Sequence, residues 1–298
     1  MKALFGVEVR RFLARRLFRI TTLLVVAMII VAGVIVFFNS RTTPEELAQA
    51  EAQQQAMFES CVESGGFGAP PDAYDDLETF CREEMGLVGH DPRFDYSDMT
   101  EILRGLGVPF LMLGWVVGAS FIGAEWHSRV LTTTLTWEPR RIRVLGAKML
   151  ALAGCAGVWI LLLQALLAAS LYPAAAAHGI TDTLDGGFWR ELGSVALRVD
   201  VLAALAALFG ATLATIGRNT AAALGVGFAY LTVVEGLVRG FKPEWSDWLL
   251  GENISLFLFG RQGALVGPDQ ASATWFLLAY CGALLIAAAA VFRRREMS

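Results

Sequence analysis

The chain has 298 residues, of which 55% are apolar and only 17% charged, and its mean hydropathy is +0.54. These values exclude an ordinary soluble globular protein and indicate an integral membrane protein. The formal net charge of −4 hides a segregation, because residues 39–101 hold fifteen of the 28 acidic residues and only three arginines. This charge distribution does not favour a nucleic-acid partner.

Residues 1–19 predict a cytoplasmic amphipathic helix on anionic membrane lipid. Its apolar face holds Phe5, Val9, Phe12, Leu13 and Leu17, and its polar face holds Glu8, Arg11, Arg15 and Arg19. Residues 20–38 predict the first span. A secretory signal peptide is the alternative, but this apolar run is longer than a typical signal and no small-x-small cleavage site follows it.

Residues 39–103 predict an extracellular, acidic helical hairpin. Its first helix begins at Thr43-Pro44-Glu45-Glu46, which combine a capping hydroxyl, a first-turn proline and acids at the positive end of the helix dipole. The glycine- and proline-rich residues 65–71 break this helix near Ser64. A second helix is expected to begin at Asp75 or Asp76 and to end at Gly86.

Two cysteines fall on the two predicted hairpin helices. Cys61 and Cys81 would lie in an oxidising compartment, whereas Cys155 and Cys281 fall within predicted spans. We therefore predict a disulfide between Cys61 and Cys81, with two reduced buried thiols as the alternative.

Two further spans, residues 104–123 and 145–171, flank a charged loop at residues 124–144. Each charged side chain would cost roughly 2.5 to 3.5 kcal/mol at a helix centre in the bilayer, so we expect the loop and nearby Lys148 to be in water. Its excess of basic residues places it in the cytoplasm. Pro139 is expected to end a short helix over residues 130–137, parallel to the membrane.

The remaining residues predict an outer loop at 172–191, a fourth span at 192–216, an inner turn at 217–219 and a fifth span at 220–237. Residues 238–272 are too polar to cross, and their apolar run 249–259 predicts a re-entrant or interfacial outer segment. A sixth span at 273–292 precedes the basic tail 293–298. The prediction is an all-α, multi-pass protein of the cell membrane with six spans and both termini cytoplasmic.

The sequence offers little for catalysis or cofactor binding. No GxxxxGK[ST] phosphate loop is present, and the three histidines, His90, His127 and His178, fall in different segments, so no metal site is expected. A membrane enzyme is the alternative, but Glu125-Trp126-His127 lacks the second zincin histidine. Asp200 and Glu235 lie on different spans without the context of an intramembrane aspartyl protease.

For several other polar and small residues in the predicted spans, we expect a role in helix packing. Glu235 and Arg239 have the spacing of a helical ion pair, with a substrate contact as the alternative. Small residues recur in pairs that allow close approach of helices: Ala203/Ala207, Gly210/Ala214 and Ala221/Gly225.

Two stretches carry a resemblance to a known family. The loop contains Glu125-Trp126, threonines at 132–134, Glu138-Pro139-Arg140-Arg141 and Ala147-Lys148, and the turn reads GRNTAAALG at 217–225. In this order they resemble the first cytoplasmic loop and the tight second turn of type-2 ABC exporter permeases of the actinobacterial kind. The likeness covers roughly residue 103 to the end. The chain departs at His127-Ser128-Arg129, where relatives often carry a basic residue followed by glycine.

The resemblance implies a permease subunit that exports a substrate and needs no cofactor of its own, because a cytoplasmic ATPase partner binds the ATP. Two protomers would form a homo- or heterodimer, with the second and fifth spans lining the substrate path through Phe110, Met112, Leu113, Phe228 and Tyr230. The loop would couple to the ATPase through Glu125, Arg129, Leu131, Leu135, Trp137, Arg140 and Arg141.

Within this loop, we expect Glu125 to pair with Arg129, Arg140, Arg141 or Arg143. The alternative is that these charges only anchor a solvated loop. A different function also stays open, that of a membrane-anchored sensor or signalling protein built on the extracellular hairpin.

Overall fold

A computed structural model describes residues 2–41, 43–66, 76–84, 93–128, 136, 140–182, 184–260 and 269–294. Over these residues the fold is all-α, and an isolated bridge between Asp95 and Ile180 is the only extended pairing. Six helical segments in the described part are long and apolar enough to cross a membrane. The predicted all-α polytopic fold is therefore confirmed.

Twelve α-helices lie along the described part of the chain. In order they are α1 Lys2–Ala14, α2 Arg16–Asn39, α3 Pro44–Glu63, α4 Leu77–Thr79, α5 Met99–Gly105, α6 Gly107–His127, α7 Arg141–His178, α8 Gly186–Gly217, α9 Thr220–Ala229, α10 Glu235–Phe241, α11 Leu250–Phe259 and α12 Gln270–Arg294. A π-helical turn, Tyr230–Val234, joins α9 to α10. The segments long and apolar enough to cross a membrane are α2, α6, α7, α8, the continuous α9–α10 and α12.

The chain forms two compact units. The first comprises residues 1–28, 98–166 and 186–298, and the second comprises residues 29–97 and 167–185. The long helices α2 and α7 each contribute to both units.

The core of the first unit is the contact between α6 and α8. Gly114 and Gly118 face the backbone of α8, and a Cβ atom on Gly118 would overlap the carbonyl oxygen of Ala207. The alanines of the predicted pairs on α8 are fully buried, as small residues at a close helix contact must be. By contrast, Ala221 and Gly225 on α9 are exposed, so this third pair does not form such a contact within the chain.

The second unit contains the predicted disulfide. Cys61 near the end of α3 is bonded to Cys81, with 6.1 Å between their Cα atoms. Asp76 caps α4 by accepting hydrogen bonds from the backbone and hydroxyl of Thr79, which confirms the predicted helix start. These hydrogen bonds, led by the one from the hydroxyl, lower the pKa of the Asp76 carboxyl.

Helix α11 occupies the apolar run for which a re-entrant or interfacial segment is predicted. Its first turn is held by Glu235, whose carboxylate accepts a hydrogen bond of 2.9 Å from the backbone N–H of Gly251. Arg239 lies 3.6 Å from Glu235, as the i, i+4 spacing predicts, and 3.4 Å from Glu252. A buried carboxylate on α10 thus caps α11 from outside that helix.

Candidate functional site

A buried ion network lies where α6 ends and α7 begins. Lys148, on the second turn of α7, is 0% exposed. Its ammonium nitrogen lies 2.7 Å from a carboxylate oxygen of Glu8 on α1 and 2.7 Å from one of Glu125 near the end of α6. One lysine therefore connects α7 both to the preceding α6 and to the distant α1.

Arg15, in the joint between α1 and α2, extends the network. Its guanidinium donates hydrogen bonds to the carbonyl oxygens of Ser120 (2.7 Å) and Phe121 (2.6 Å), and lies 3.3 Å from Glu125. Burial lowers the pKa of Arg15, and the charge and hydrogen bond of Glu125 oppose that shift. The two carbonyl groups belong to α6, so Arg15 fixes the joint to that helix.

Aromatic rings close the network off from its surroundings. Phe12 and Phe121 are 1% and 0% exposed, with ring centroids 5.7 Å apart, and the Arg15 guanidinium lies 4.7 Å above the Phe121 ring. Burying a charge is costly unless it is paired, and here the two carboxylates face Lys148, Arg15 and Arg11, which lies 3.1 Å from Glu8. Each buried carboxylate therefore has at least two cations within 4 Å, which offsets part of the cost of its burial.

The structure corrects three sequence-based predictions. Glu8 was expected on the exposed polar face of an interfacial helix and is instead fully buried, and Lys148 and Glu125 were expected in water and are buried as well. Glu125 was expected to pair with loop arginines, whereas its two described partners are Arg15 and Lys148. The physical reason is the same throughout, because opposite charges from separate helices remove the cost of burying one another.

The other predicted coupling residues are only partly described. Arg140 is exposed, and Arg141 donates a hydrogen bond of 3.4 Å to the carbonyl oxygen of Arg293. Arg129, Leu131, Leu135 and Trp137 lie outside the described residues. The structure therefore places the base of the loop, and the docking role of its tip stays a prediction.

The second resembling stretch lies at the same end of the first unit. A Cβ atom on Gly123 of α6 would overlap Thr220, the first residue of α9. Arg218 in the turn has φ +53° and stacks 5.0 Å from the ring of Trp126, which also packs on Phe292 of α12. This end of α6 therefore contacts α1, the base of the loop, the tight turn and the end of α12.

The residues predicted to line a substrate path do not share one surface. Phe110 is buried, Phe228 is 63% exposed, and Met112, Leu113 and Tyr230 are intermediate. None of the five lines the apolar cleft that lies between α6, α8, the π-helical turn, α11 and α12. Their immediate neighbours Leu111 and Leu231 do. A wall between two protomers is a different surface from this cleft, so the role of the five residues in a substrate path stays a prediction.

Among the described residues, no three histidine, cysteine, aspartate or glutamate side chains come together to hold a metal ion. The chain matches no protein-family model and no curated protein. The resemblance to type-2 ABC exporter permeases therefore rests on the loop and turn residues themselves.

Proposed function

We propose that this chain is the permease subunit of an ABC exporter, which moves a substrate across the cell membrane with energy from a separate ATPase. Six apolar helical segments and the lack of a phosphate loop support a transport subunit without its own ATP site. The observation that carries the proposal is the buried ion network, because it joins both ends of the 124–144 loop to α1.

The ion network holds the two ends of the loop to each other and to α1. Glu125 lies at the start of the loop and Lys148 follows its end, and their ion pair of 2.7 Å closes the base of the loop. A force on the loop would therefore reach α6, α7 and α1 together. ATP binding and hydrolysis would move these helices between inward-open and outward-open states, provided that the partner binds the two states with different affinity.

The test is purification of the chain from its native cells in mild detergent. We expect a stoichiometric P-loop ATPase to copurify, and we expect ATP hydrolysis by the complex to respond to added substrates. The double variant L131D/L135D should insert normally but lose the ATPase, since two apolar anchors of the predicted coupling helix become charged.

T133D is the matched control, because residue 133 lies on another face of the predicted coupling helix. This control should retain the ATPase. If L131D/L135D binds and stimulates the ATPase like the parent chain, the coupling role is wrong.

A sensor or signalling protein is the second candidate. The disulfide-linked second unit favours it, since such a unit suits an extracellular domain with a binding role. Repeated purification without any ATPase, together with a ligand-dependent change in protease sensitivity of residues 39–97, would support this candidate.

A further inference from the structure

Asp200 is a carboxylic acid near the middle of a helix that is long enough to cross a membrane. It is the fifteenth of the 32 residues of α8, so at about 1.5 Å per residue it lies at least about 20 Å from either end. The hydrocarbon core of a bilayer is about 30 Å thick, whereas α8 is about 48 Å long. A core that fits within the length of α8 therefore includes Asp200 at any position.

The carboxyl group of Asp200 lies against the backbone of α7. A Cβ atom on Gly157 would come within 3.3 Å of its Oδ2 atom, so the missing side chain of Gly157 makes room for the carboxyl group. The Oδ1 atom is buried, and in the described part of the chain no hydrogen bond or ion pair reaches it. The acid therefore lies between two apolar helices without a counter-charge.

The nearest cation in the sequence does not compensate this acid. Arg198 precedes Asp200 by two residues, and side chains at that spacing do not face each other on a helix. With the amide of Gln270 oriented for hydrogen bonding, its oxygen accepts a bond of 2.9 Å from Nη1 of Arg198. Arg198 is thus directed toward α12, whereas Asp200 is directed toward α7.

The helices beside α8 bring no compensating charge to this level. Their middle portions contain no aspartate, glutamate, lysine, arginine or histidine: residues 107–124 of α6, 149–177 of α7 and 271–292 of α12. On α10 and α11, Glu235 and Glu252 both lie beside Arg239. The other titratable groups of these helices are uncharged at neutral pH: Cys155, Tyr172, Tyr230, Tyr280 and Cys281.

Gln164 is a second unpaired polar side chain on the same side of α7. It follows Gly157 by seven residues, or two turns, which returns it to the face that contacts Asp200. Gln164 is 2% exposed, and neither polar atom of its amide has a hydrogen-bond partner among the described residues. Unpaired polar groups are costly in an apolar environment, so two of them between the same two helices indicate a function beyond packing.

The surroundings of Asp200 select the ligand. A carboxylate without a counter-charge is far more costly in an apolar environment than a neutral carboxylic acid, and one proton removes that cost. A metal ion would need several further oxygen ligands, and the described residues place no group of three metal-binding side chains here. Acids within membrane-crossing helices are typical of proton pathways.

We infer that Asp200 is a proton-binding site in the membrane-crossing part of the chain, which holds a proton in this structure and releases it when a cation reaches the carboxyl group. This site goes beyond the proposed function, because a single chain forms it. Neither an ATPase nor a transported substrate is needed to test it.

The first experiment treats the purified full-length protein at pH 7 with dicyclohexylcarbodiimide, an apolar reagent for protonated carboxyl groups. The proton moves to one nitrogen of the carbodiimide, and the carboxyl oxygen bonds to its central carbon. The product rearranges to a stable N-acylurea, which peptide mass spectrometry locates. Asp200 is only half-buried, so the reagent can reach it, and we expect about tenfold more adduct there than on Glu8 or Glu125, whose cations favour the ionised form.

The variant L197K supplies the missing cation. Leu197 is 62% exposed and lies one turn before Asp200 on α8, so a lysine there can pair with the carboxylate without disturbing the core. The adduct on Asp200 should fall by about tenfold, because a neighbouring positive charge favours the ionised form. L197M is the matched control, since it adds a long side chain without a charge, and it should keep the adduct.

The second experiment detects the proton without a reagent. In the infrared spectrum at pH 7, protein with ¹³C-labelled aspartate should show a band of a protonated carboxyl group that is absent from D200N. D182N is the matched control, because Asp182 is exposed, and its spectrum should keep the band.

Two results would overturn the inference. One is an amount of adduct on Asp200 no greater than on Glu8 and Glu125. The other is an identical set of protonated-carboxyl bands in D200N and the parent chain, as expected if a cation from another chain pairs with Asp200.

Discussion

At the scale of single residues, Lys148 decides the stability of the region around α1. Within the described part of the chain it is the one cation that contacts both Glu8 and Glu125, and all three side chains are buried. A buried ion pair adds little compared with an apolar pair of the same shape. Removing one partner is costly, because the other charge is left buried without compensation.

We expect K148M to lower the free energy of unfolding by about 3 to 5 kcal/mol, because Glu8 and Glu125 lose their shared cation. Thermal unfolding in detergent measures this loss, and faster tryptic cleavage after Arg10 or Arg11 reports the release of α1. In E8Q/K148M, one of the two carboxylates that lose Lys148 is also removed, and part of the stability should return.

K242M is the matched control, since Lys242 is exposed and lies over Trp245. A change within about 0.5 kcal/mol is expected there. A K148M protein as stable as the parent chain would contradict a network that holds α1.

At the scale of helices, the contact of α6 with α8 depends on glycines, which have no side chain to keep the two backbones apart. Gly114 and Gly118 of α6 face the backbones of Ala203 and Ala207, and Gly210 of α8 faces Trp115. Such close approach supplies packing between apolar helices that lipid alone does not drive together. It also fixes the rotation of α6, and so decides which of its residues line the cleft.

G118A tests this contact. The added methyl group would overlap the carbonyl oxygen of Ala207, and we expect the free energy of unfolding to fall by about 1 to 3 kcal/mol, the usual cost of overpacking. G154A is the control, because nothing lies within 4 Å of a Cβ atom at Gly154 on α7. There the better helix propensity of alanine should give no loss and up to about 1 kcal/mol of gain. Equal effects of the two changes on thermal unfolding would rule out a close contact at Gly118.

At the scale of the whole molecule, the chain forms two compact units, and the disulfide lies in the second. Closing a loop of 20 residues stabilises a fold by about 3 kcal/mol. We expect C61S to make residues 39–97 more sensitive to limited proteolysis while the first unit keeps its resistance. C155S, which removes a free thiol, should change neither. Mass spectrometry of non-reduced peptides that found Cys61 and Cys81 both free would refute the disulfide.

Orientation in the membrane is a second prediction at this scale. The excess of arginine and lysine in the 124–144 loop and in the tail predicts that both termini are cytoplasmic and that residues 39–103 are extracellular. A cysteine in G89C should react with an impermeant thiol reagent only from outside, and one in S298C only from inside. The reverse pattern of labelling would invert the topology.

The amino-acid sequence by itself determined the six apolar segments, the start of the second hairpin helix at Asp75 or Asp76, of which the structure has Asp76, and the Cys61–Cys81 disulfide. These features depend on local properties: the length of an apolar run, a capping side chain, or a pair of cysteines without other partners. The sequence also predicted that Glu125 lies at the base of the loop, because this residue comes just after a predicted span.

The partners of Glu125 and the walls of the cleft were decided only by the tertiary structure. Glu8 and Lys148 are 140 residues apart and meet only because α1 packs against the ends of α6 and α7. Likewise, Leu111 and Trp115 line the cleft and their neighbours Phe110 and Met112 do not, because contact of Gly114 and Gly118 with α8 sets the rotation of α6. Packing between helices determines both which distant charges pair and how each helix is rotated. A local sequence pattern contains no information about that packing.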